Sequence, residues 1–130
     1  MTNSEKIRAA AERILGPMKA FNTAAAAPEG VAEAIGAYDA PGGPGPVWVT
    51  PFELFVRRDE GFEAVPYARI VAVQAPGSKE KLNPESGRVR VVLDDGSTRV
   101  IAVVGGRGRF CDSFEFTRFL SRASGFARDT

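Results

Sequence analysis

The chain contains no histidine and one cysteine, Cys111. Without histidine, imidazole metal sites and the Ser-His and Cys-His nucleophile pairs are excluded. A single cysteine cannot form an internal disulfide, which is typical of proteins in a reducing compartment. No set of nucleophile, base and orienting group can be assembled from the remaining residues. We therefore predict no metal site, no cofactor and no enzymatic activity.

Neither positive nor negative charge predominates, because seventeen basic residues against sixteen acidic ones leave a net charge of +1. Proteins that bind nucleic acid usually carry a clear basic excess, so nucleic acid is not a predicted partner. No hydrophobic run approaches the length of a membrane span. The charged, alanine-rich N-terminus lacks the apolar core of a signal peptide. The predicted location is the cytoplasm.

The clearest local signal is a β-hairpin from Arg88 to Val104. Two runs rich in β-branched residues flank Asp95-Gly96, a pair typical of a two-residue hairpin turn. That turn opposes Val91 to Val100. A bulged three-residue loop would instead oppose Val91 to Arg99 and send an apolar set to the wrong side. The two-residue turn is therefore the predicted one.

An amphipathic helix is predicted at the N-terminus, where Thr2 and Glu5 form a capping box. Gly16-Pro17 ends or kinks this helix, because proline lacks an amide hydrogen and clashes with the preceding turn. Alternatively, Pro17 opens a second helix that runs through Ala27. The apolar residues recur at helical spacing and are expected to pack against the rest of the domain: Ile7, Ala11, Ile14, Leu15 and Met18.

A Pro- and Gly-rich run from Pro41 to Pro46 follows an alanine-rich stretch with a possible short helix, Glu29 to Ala37. Such a run cannot keep helix or strand geometry and acts as a spacer. We therefore predict an N-terminal helical arm with its spacer at residues 1–46, followed by a separate domain at residues 47–130.

Short strands separated by turn signals begin at Val47, a pattern typical of a meander that curls into a barrel or sandwich. The strands predicted before the hairpin are Val47–Thr50, Phe52–Arg57, Phe62–Val65 and Ala68–Gln74. A polar loop is predicted from Pro76 to Gly87.

A final amphipathic helix is predicted after the hairpin, with Asp112 as its N-cap and Glu115 at the third helical position. It is expected to close one open end of the barrel, since large aromatic side chains contribute much of the apolar area that a core buries. Its apolar face consists of Phe116, Phe119, Leu120, Ala123 and Phe126. The residues predicted to be buried together are Leu54, Val56, Ile70, Val89, Val91, Leu93, Val100, Phe116, Phe119 and Leu120.

This order of elements resembles the bacterial pleckstrin-homology-like (PH-like) domains, from about Val47 to Ser124. The most specific piece is the Val-Pro-Tyr-x-x-Ile-x-x-Val string at Val65 to Val73. The resemblance implies an α+β fold: a bent antiparallel β-barrel of about seven strands capped by a C-terminal α-helix, here with an added N-terminal helical arm. The sequence departs from the family at Phe52-Glu53, where such domains often carry a basic residue. Its hairpin loops also lack the dense lysines and arginines of members that bind phosphoinositides.

The Gly-rich loop before the last helix is a candidate anion site, formed by Arg107, Gly108 and Arg109. Free amides at a helix N-terminus attract anions, and the two arginines would add charge-assisted hydrogen bonds. The third glycine of a dinucleotide fingerprint is missing, so a flexible connection is the favoured interpretation. Turn chemistry accounts for Asp94-Asp95, and Cys111 is interpreted as a packed structural residue.

The predicted function is a non-catalytic binding or scaffold module that acts through protein contacts, including self-association into a homo-oligomer. In the predicted register, three β-branched residues form an outward patch, and such a patch usually marks an interface. The candidate interface residues are Val92, Ile101, Val103 and Phe114 together with Ile14, Leu15 and Met18 of the arm. The alternative is a peripheral membrane module that binds anionic lipid headgroups through Arg107, Arg109, Lys79 and Lys81.

Overall fold

Two helices and eight strands make up the part of the chain that the computed structural model describes, which is residues 2–40, 45–59, 61–74, 88–103 and 112–128. The helices are α1 (Asn3–Ile14) and α2 (Asp112–Arg128). The strands are β1 (Phe21–Asn22), β2 (Gly36–Tyr38), β3 (Val47–Val49), β4 (Glu53–Arg58), β5 (Gly61–Pro66), β6 (Ile70–Gln74), β7 (Arg88–Leu93) and β8 (Thr98–Ala102). A single 3₁₀ turn, Tyr67–Arg69, joins β5 to β6.

The strands form two antiparallel sheets, one in the order β1-β2-β3-β4-β5 and the other in the order β6-β7-β8. The predicted α+β class is confirmed. The predicted closed barrel is wrong, because among the described strands no ladder joins one sheet to the other. The separation begins at Pro66, which has no amide to donate, and at the 3₁₀ turn that redirects the chain into the second sheet.

Helix α1 is packed into the same core as the sheets. Its capping box is confirmed, with Thr2 accepting from the Glu5 amide at 3.2 Å and the Glu5 carboxylate accepting from the Thr2 amide at 3.3 Å. The helix ends at Ile14, as Gly16-Pro17 predicts, and no second helix starts at Pro17. The apolar face packs against α2 and the sheets, with Ile7, Ala11, Ile14 and Leu15 buried and Met18 half-buried.

Residues from the predicted arm also enter the first sheet. Strand β2 pairs with β3, with Ala37 opposite Trp48, and β1 pairs with β2. The predicted helix from Glu29 to Ala37 is wrong, since its last two residues belong to β2. Pairing with β3 outweighs the helix propensity of the alanines here. The described parts of residues 1–46 and 47–130 therefore share one sheet and one core.

The hairpin forms, but the predicted two-residue register is wrong. Val91 lies opposite Arg99 and Val89 opposite Ile101. The loop has three residues, Asp94 to Gly96, closed by a hydrogen bond from the Leu93 amide to the Ser97 carbonyl at 2.8 Å. Gly96 has φ +86, the left-handed residue that a type I turn with a bulge requires.

The core lies between the sheets and beneath α2. The apolar face of α2 is confirmed, since Phe116, Phe119, Leu120 and Ala123 are buried and Phe126 is half-buried against them. Of the residues predicted to be buried together, all are buried except Val100, which the register shift leaves half-buried.

Candidate functional site

Phe52 is presented on a tight turn between β3 and β4. The Thr50 hydroxyl accepts hydrogen bonds from the amides of Phe52 and Glu53, at 3.2 and 3.0 Å, and donates to the Glu53 carbonyl at 2.8 Å. Pro51, second in the turn, presets the backbone angle that such turns need. Thr50 is buried, while Phe52 is 52% exposed. A fixed backbone therefore holds an aromatic ring out in water.

Tyr67 supports this turn from beneath. Its amide donates to the Phe52 carbonyl at 3.1 Å, and its hydroxyl donates to the Thr50 carbonyl at 2.9 Å. The side chain is fully buried. Burial raises the pKa of the Tyr67 hydroxyl well above its usual value, and the charge of Glu53 raises it further. The hydroxyl therefore stays protonated and keeps donating to the turn.

A groove of about 450 Å³ lies beside Phe52. Its volume is within the range of pockets that hold ligands or partner side chains. Apolar side chains make up most of the wall, and Glu53 is its charged member. The groove, called here the Phe52 groove, is lined by Thr2, Asn3, Ser4, Ile7, Pro51, Phe52, Glu53, Pro66, Ala68 and Ala127.

A second, smaller cleft of about 160 Å³ lies where the two sheets meet. Its described lining contains three arginines and no carboxylate. Arg57 also packs over the Phe62 ring, 5.7 Å from its centroid. The cleft, called here the arginine cleft, is lined by Gly45, Val47, Val56, Arg57, Arg58, Arg88, Val100 and Ala102.

Glu63 forms ion pairs with two arginines beside the arginine cleft, Arg58 and Arg99. It accepts from Arg58 at 2.9 Å and from Arg99 at 2.7 Å, so that it links β4 and β5 to β8. Burial alone would raise the pKa of the Glu63 carboxyl, but the hydrogen bonds and charges of Arg99 and Arg58 outweigh it and lower the pKa. Arg58 also donates to the Val100 carbonyl at 3.4 Å. Ionised Glu63 therefore fixes one arginine at the rim of the cleft.

The outward patch predicted on the hairpin is not formed. Ile101 and Val103 are fully buried in the core and Val92 is half-buried. The one-residue register shift has this effect because successive side chains alternate between the two faces of a strand. Arg99 was expected to oppose this register because it would lie beside apolar residues. It is half-buried and forms an ion pair with Glu63.

The other predicted site residues lie in the chain's own core, on α2 or outside the described residues. Ile14 and Leu15 are buried in the chain's own core, and Met18 is half-buried against it. Ile14 and Met18 also line a pocket between the end of α1 and the start of α2. Phe114 is half-buried. The residues of the predicted anion site, Arg107, Gly108 and Arg109, lie outside the described residues. Cys111 lies outside them as well.

The carboxylates Asp94 and Asp95 are engaged in the hairpin turn. Arg69 donates to Asp94 at 3.1 Å and to Asp95 at 3.2 Å. Asp95 also accepts from the hydroxyl and amide of Ser97, which lowers the pKa of its carboxyl. The described ranges contain no cluster of three or more residues suited to hold a metal ion. These contacts are what the turn interpretation of the two aspartates requires.

Sequence reasoning did not identify the Phe52 groove or the arginine cleft. The sequence pattern predicts Phe52 as the first residue of a strand and as a departure from the PH-like pattern, whereas the strand begins at Glu53. The available signal was an aromatic residue inside a Thr-Pro turn, since turns normally carry polar residues. Arg88 lies thirty positions after Arg58 along the chain, and it meets Arg57 and Arg58 only when the two sheets pack.

Comparison of the chain with protein-family models, curated proteins and solved structures finds no match. Among the described residues, no helix is both long and apolar enough to cross a membrane.

Proposed function

We propose that this chain is a non-catalytic protein-binding module that associates with copies of itself through the Phe52 groove. The exposed Phe52 ring carries the proposal. Covering a solvated ring of this size with a partner lowers the free energy, and aromatic anchors in apolar pockets dominate many interfaces. The turn that presents the ring is already fixed by Thr50 and Tyr67, so little conformational entropy is lost from it on binding.

The PH-like architecture is part of this proposal. It is supported by the element order, with β2 to β5 in one sheet, β6 to β8 in the other and α2 after the last strand. The non-catalytic assignment is supported by the lack of histidine and by the engagement of Asp94 and Asp95 in a turn. A cytoplasmic location stays a prediction from the sequence.

Light scattering on the full chain at tens of micromolar tests the proposal. We expect a dimer or larger assembly, and Phe52→Ser should weaken it at least about tenfold, the equivalent of roughly 1.4 kcal/mol. Val71→Ser is the matched control, because among the described residues Val71 is the other large apolar side chain that is exposed, at 46%, and it lies outside the groove lining. Monomers throughout would contradict self-association. Equal assembly of the three proteins would contradict the use of the groove.

The arginine cleft favours a second candidate function, the binding of anionic lipid headgroups. Three guanidinium groups around a small cleft suit a phosphate, because arginine forms planar, charge-assisted hydrogen bonds with it. Gly45 stands opposite Arg57, and a Cβ there would lie 3.3 Å from the Arg57 side chain. The small residue therefore leaves room for Arg57 beside the cleft.

Co-sedimentation with vesicles tests this second function. For a headgroup site, we expect binding to phosphatidylcholine vesicles that contain phosphatidylserine, weakening as salt rises because the attraction is screened. Arg88→Gln should reduce it. Arg122→Gln, the same charge change on the exposed side of α2, should not. No binding to anionic vesicles, or equal loss in both variants, would remove the candidate.

A further inference from the structure

The outer face of the first sheet carries a row of apolar side chains that crosses four strands. Ala37, Trp48, Phe55 and Ala64 lie directly opposite one another in β2, β3, β4 and β5. Residues opposite each other in neighbouring antiparallel strands share a face. These four residues are called here the aromatic row. Ala37, Trp48 and Phe55 are separate from the main core and form a cluster of their own with Val31 and Phe62.

One segment of the chain covers half of this row. Residues 23–34, called here the strap, connect β1 to β2 and pass over Trp48. Val31 is buried there at 8% exposure, and Trp48 is only 5% exposed. Two small apolar strap residues, Ala25 and Ala34, also pack against the cluster. Farther along the row, Phe55 is half-buried and Ala64 is exposed.

The strap is weakly attached. Its described hydrogen bonds are internal or to adjacent Asn22, with the Val31 amide donating to Pro28 and the Ala24 amide donating to the Asn22 side chain. The first described bond to the sheet comes just after it, from the Ile35 amide to Val49 at 2.7 Å. Glu33 adopts φ 58, a left-handed conformation that is strained for a residue with a side chain. Segments with few buried contacts and few hydrogen bonds open more readily than the core.

We propose that the aromatic row is a docking surface for an extended peptide of small apolar residues and proline, and that the strap occupies it in the free protein as an internal competitor. The nature of the partner follows from what now covers the surface, which is a non-helical stretch containing alanines, Pro28 and Val31. An opened strap leaves Trp48 and Phe55 as one continuous aromatic surface. The aromatic row shares no residue with the Phe52 groove, and its surroundings meet the arginine cleft only at Arg57, so the inference does not depend on either proposed function.

The size and charge of the row define the peptide further. Four strands about 4.8 Å apart give a row of about 14 Å, which four or five extended residues span. Beyond Phe55 the surface leads to Phe62, with the Arg57 guanidinium over its ring. An acidic residue at that end of the peptide would meet this charge. The strap itself carries Glu29 and Glu33 among its alanines.

Trp48 is the single tryptophan of the chain, so its fluorescence reports whether the strap is closed. Val31→Ser should open the strap, shifting the emission to longer wavelength and raising quenching by acrylamide. Ala32→Ser is the matched control, because Ala32 is an exposed strap residue. Glu33→Gly should reduce quenching, since glycine adopts the left-handed conformation without strain. Identical quenching in Val31→Ser and Ala32→Ser would overturn the opening of the strap. Thermal melts by circular dichroism must show that both variants remain folded.

A synthetic peptide with the sequence of residues 23–35 tests docking in trans. We expect it to bind the Val31→Ser protein more tightly than the wild type and to return the Trp48 emission to the wild-type wavelength. The same peptide carrying Val31→Ser should not. Adding Phe55→Ser to the opened protein should weaken binding, whereas adding Phe52→Ser should not. If saturating peptide leaves the Trp48 emission unchanged, the row is not a docking surface.

Discussion

Phe119→Ala is expected to lower the free energy of unfolding by about 3–5 kcal/mol, the usual cost of emptying a buried phenylalanine site. Phe119 is completely buried on α2. Its ring meets Tyr67 edge-on, with 5.8 Å between centroids and an interplanar angle of 89°, and it meets Phe116 at 6.2 Å and 80°. The substitution therefore leaves a cavity and removes two aromatic contacts.

Chemical denaturation followed by circular dichroism measures this loss. Arg122→Ala is the control on the same helix, because Arg122 is exposed, and surface changes usually stay within about 0.5 kcal/mol. Because Phe119 contacts Tyr67, and Tyr67 holds the turn of Phe52, self-association should weaken in the same variant. A denaturation midpoint equal to that of the wild type would show that α2 does not close the core.

Ile101→Ala is the second large effect, with an expected loss of about 2–5 kcal/mol. Ile101 is fully buried opposite Val89, and the hairpin loop of three residues puts it there. With the two-residue turn, Ile101 and Val92 would both point outward and both substitutions would be mild. Val92→Ala, at a half-buried position, is therefore the matched comparison and should cost clearly less.

The same denaturation measurement separates the two registers. A large loss for Ile101→Ala with a small one for Val92→Ala is the expected pattern. Equal, small losses in both variants would favour the two-residue turn and would return Ile101 to the surface.

Strand β4 and the turn before it contribute to all three surfaces. Phe52 precedes the strand, Phe55 belongs to the aromatic row, and Arg57 and Arg58 line the arginine cleft. The strand is paired on both sides, by β3 and by β5. Sites built on an internal strand are held more precisely than sites on loops. A ligand at any of these surfaces therefore meets a rigid backbone.

Local patterns in the sequence were sufficient for most of the elements. The capping box at Thr2, the end of α1 before Gly16-Pro17, the short strands from Val47 and the apolar face of α2 all depend on neighbours a few residues apart. Such neighbours determine capping, turn formation and periodicity without help from the rest of the chain. The lack of histidine likewise means, whatever the fold, that no imidazole is present as a base or metal ligand.

Tertiary contacts decided the hairpin register and the candidate sites. Asp95-Gly96 is compatible with both loop lengths, and the choice depends on Arg69, which binds both aspartates, and on Glu63, which binds Arg99 at the rim. Both partners are distant in sequence and therefore invisible to a local pattern. The alanine-rich stretch before β2 likewise forms no helix. Strand pairing of β2 and burial against Trp48 outweigh helix preferences of a few tenths of a kcal/mol per residue.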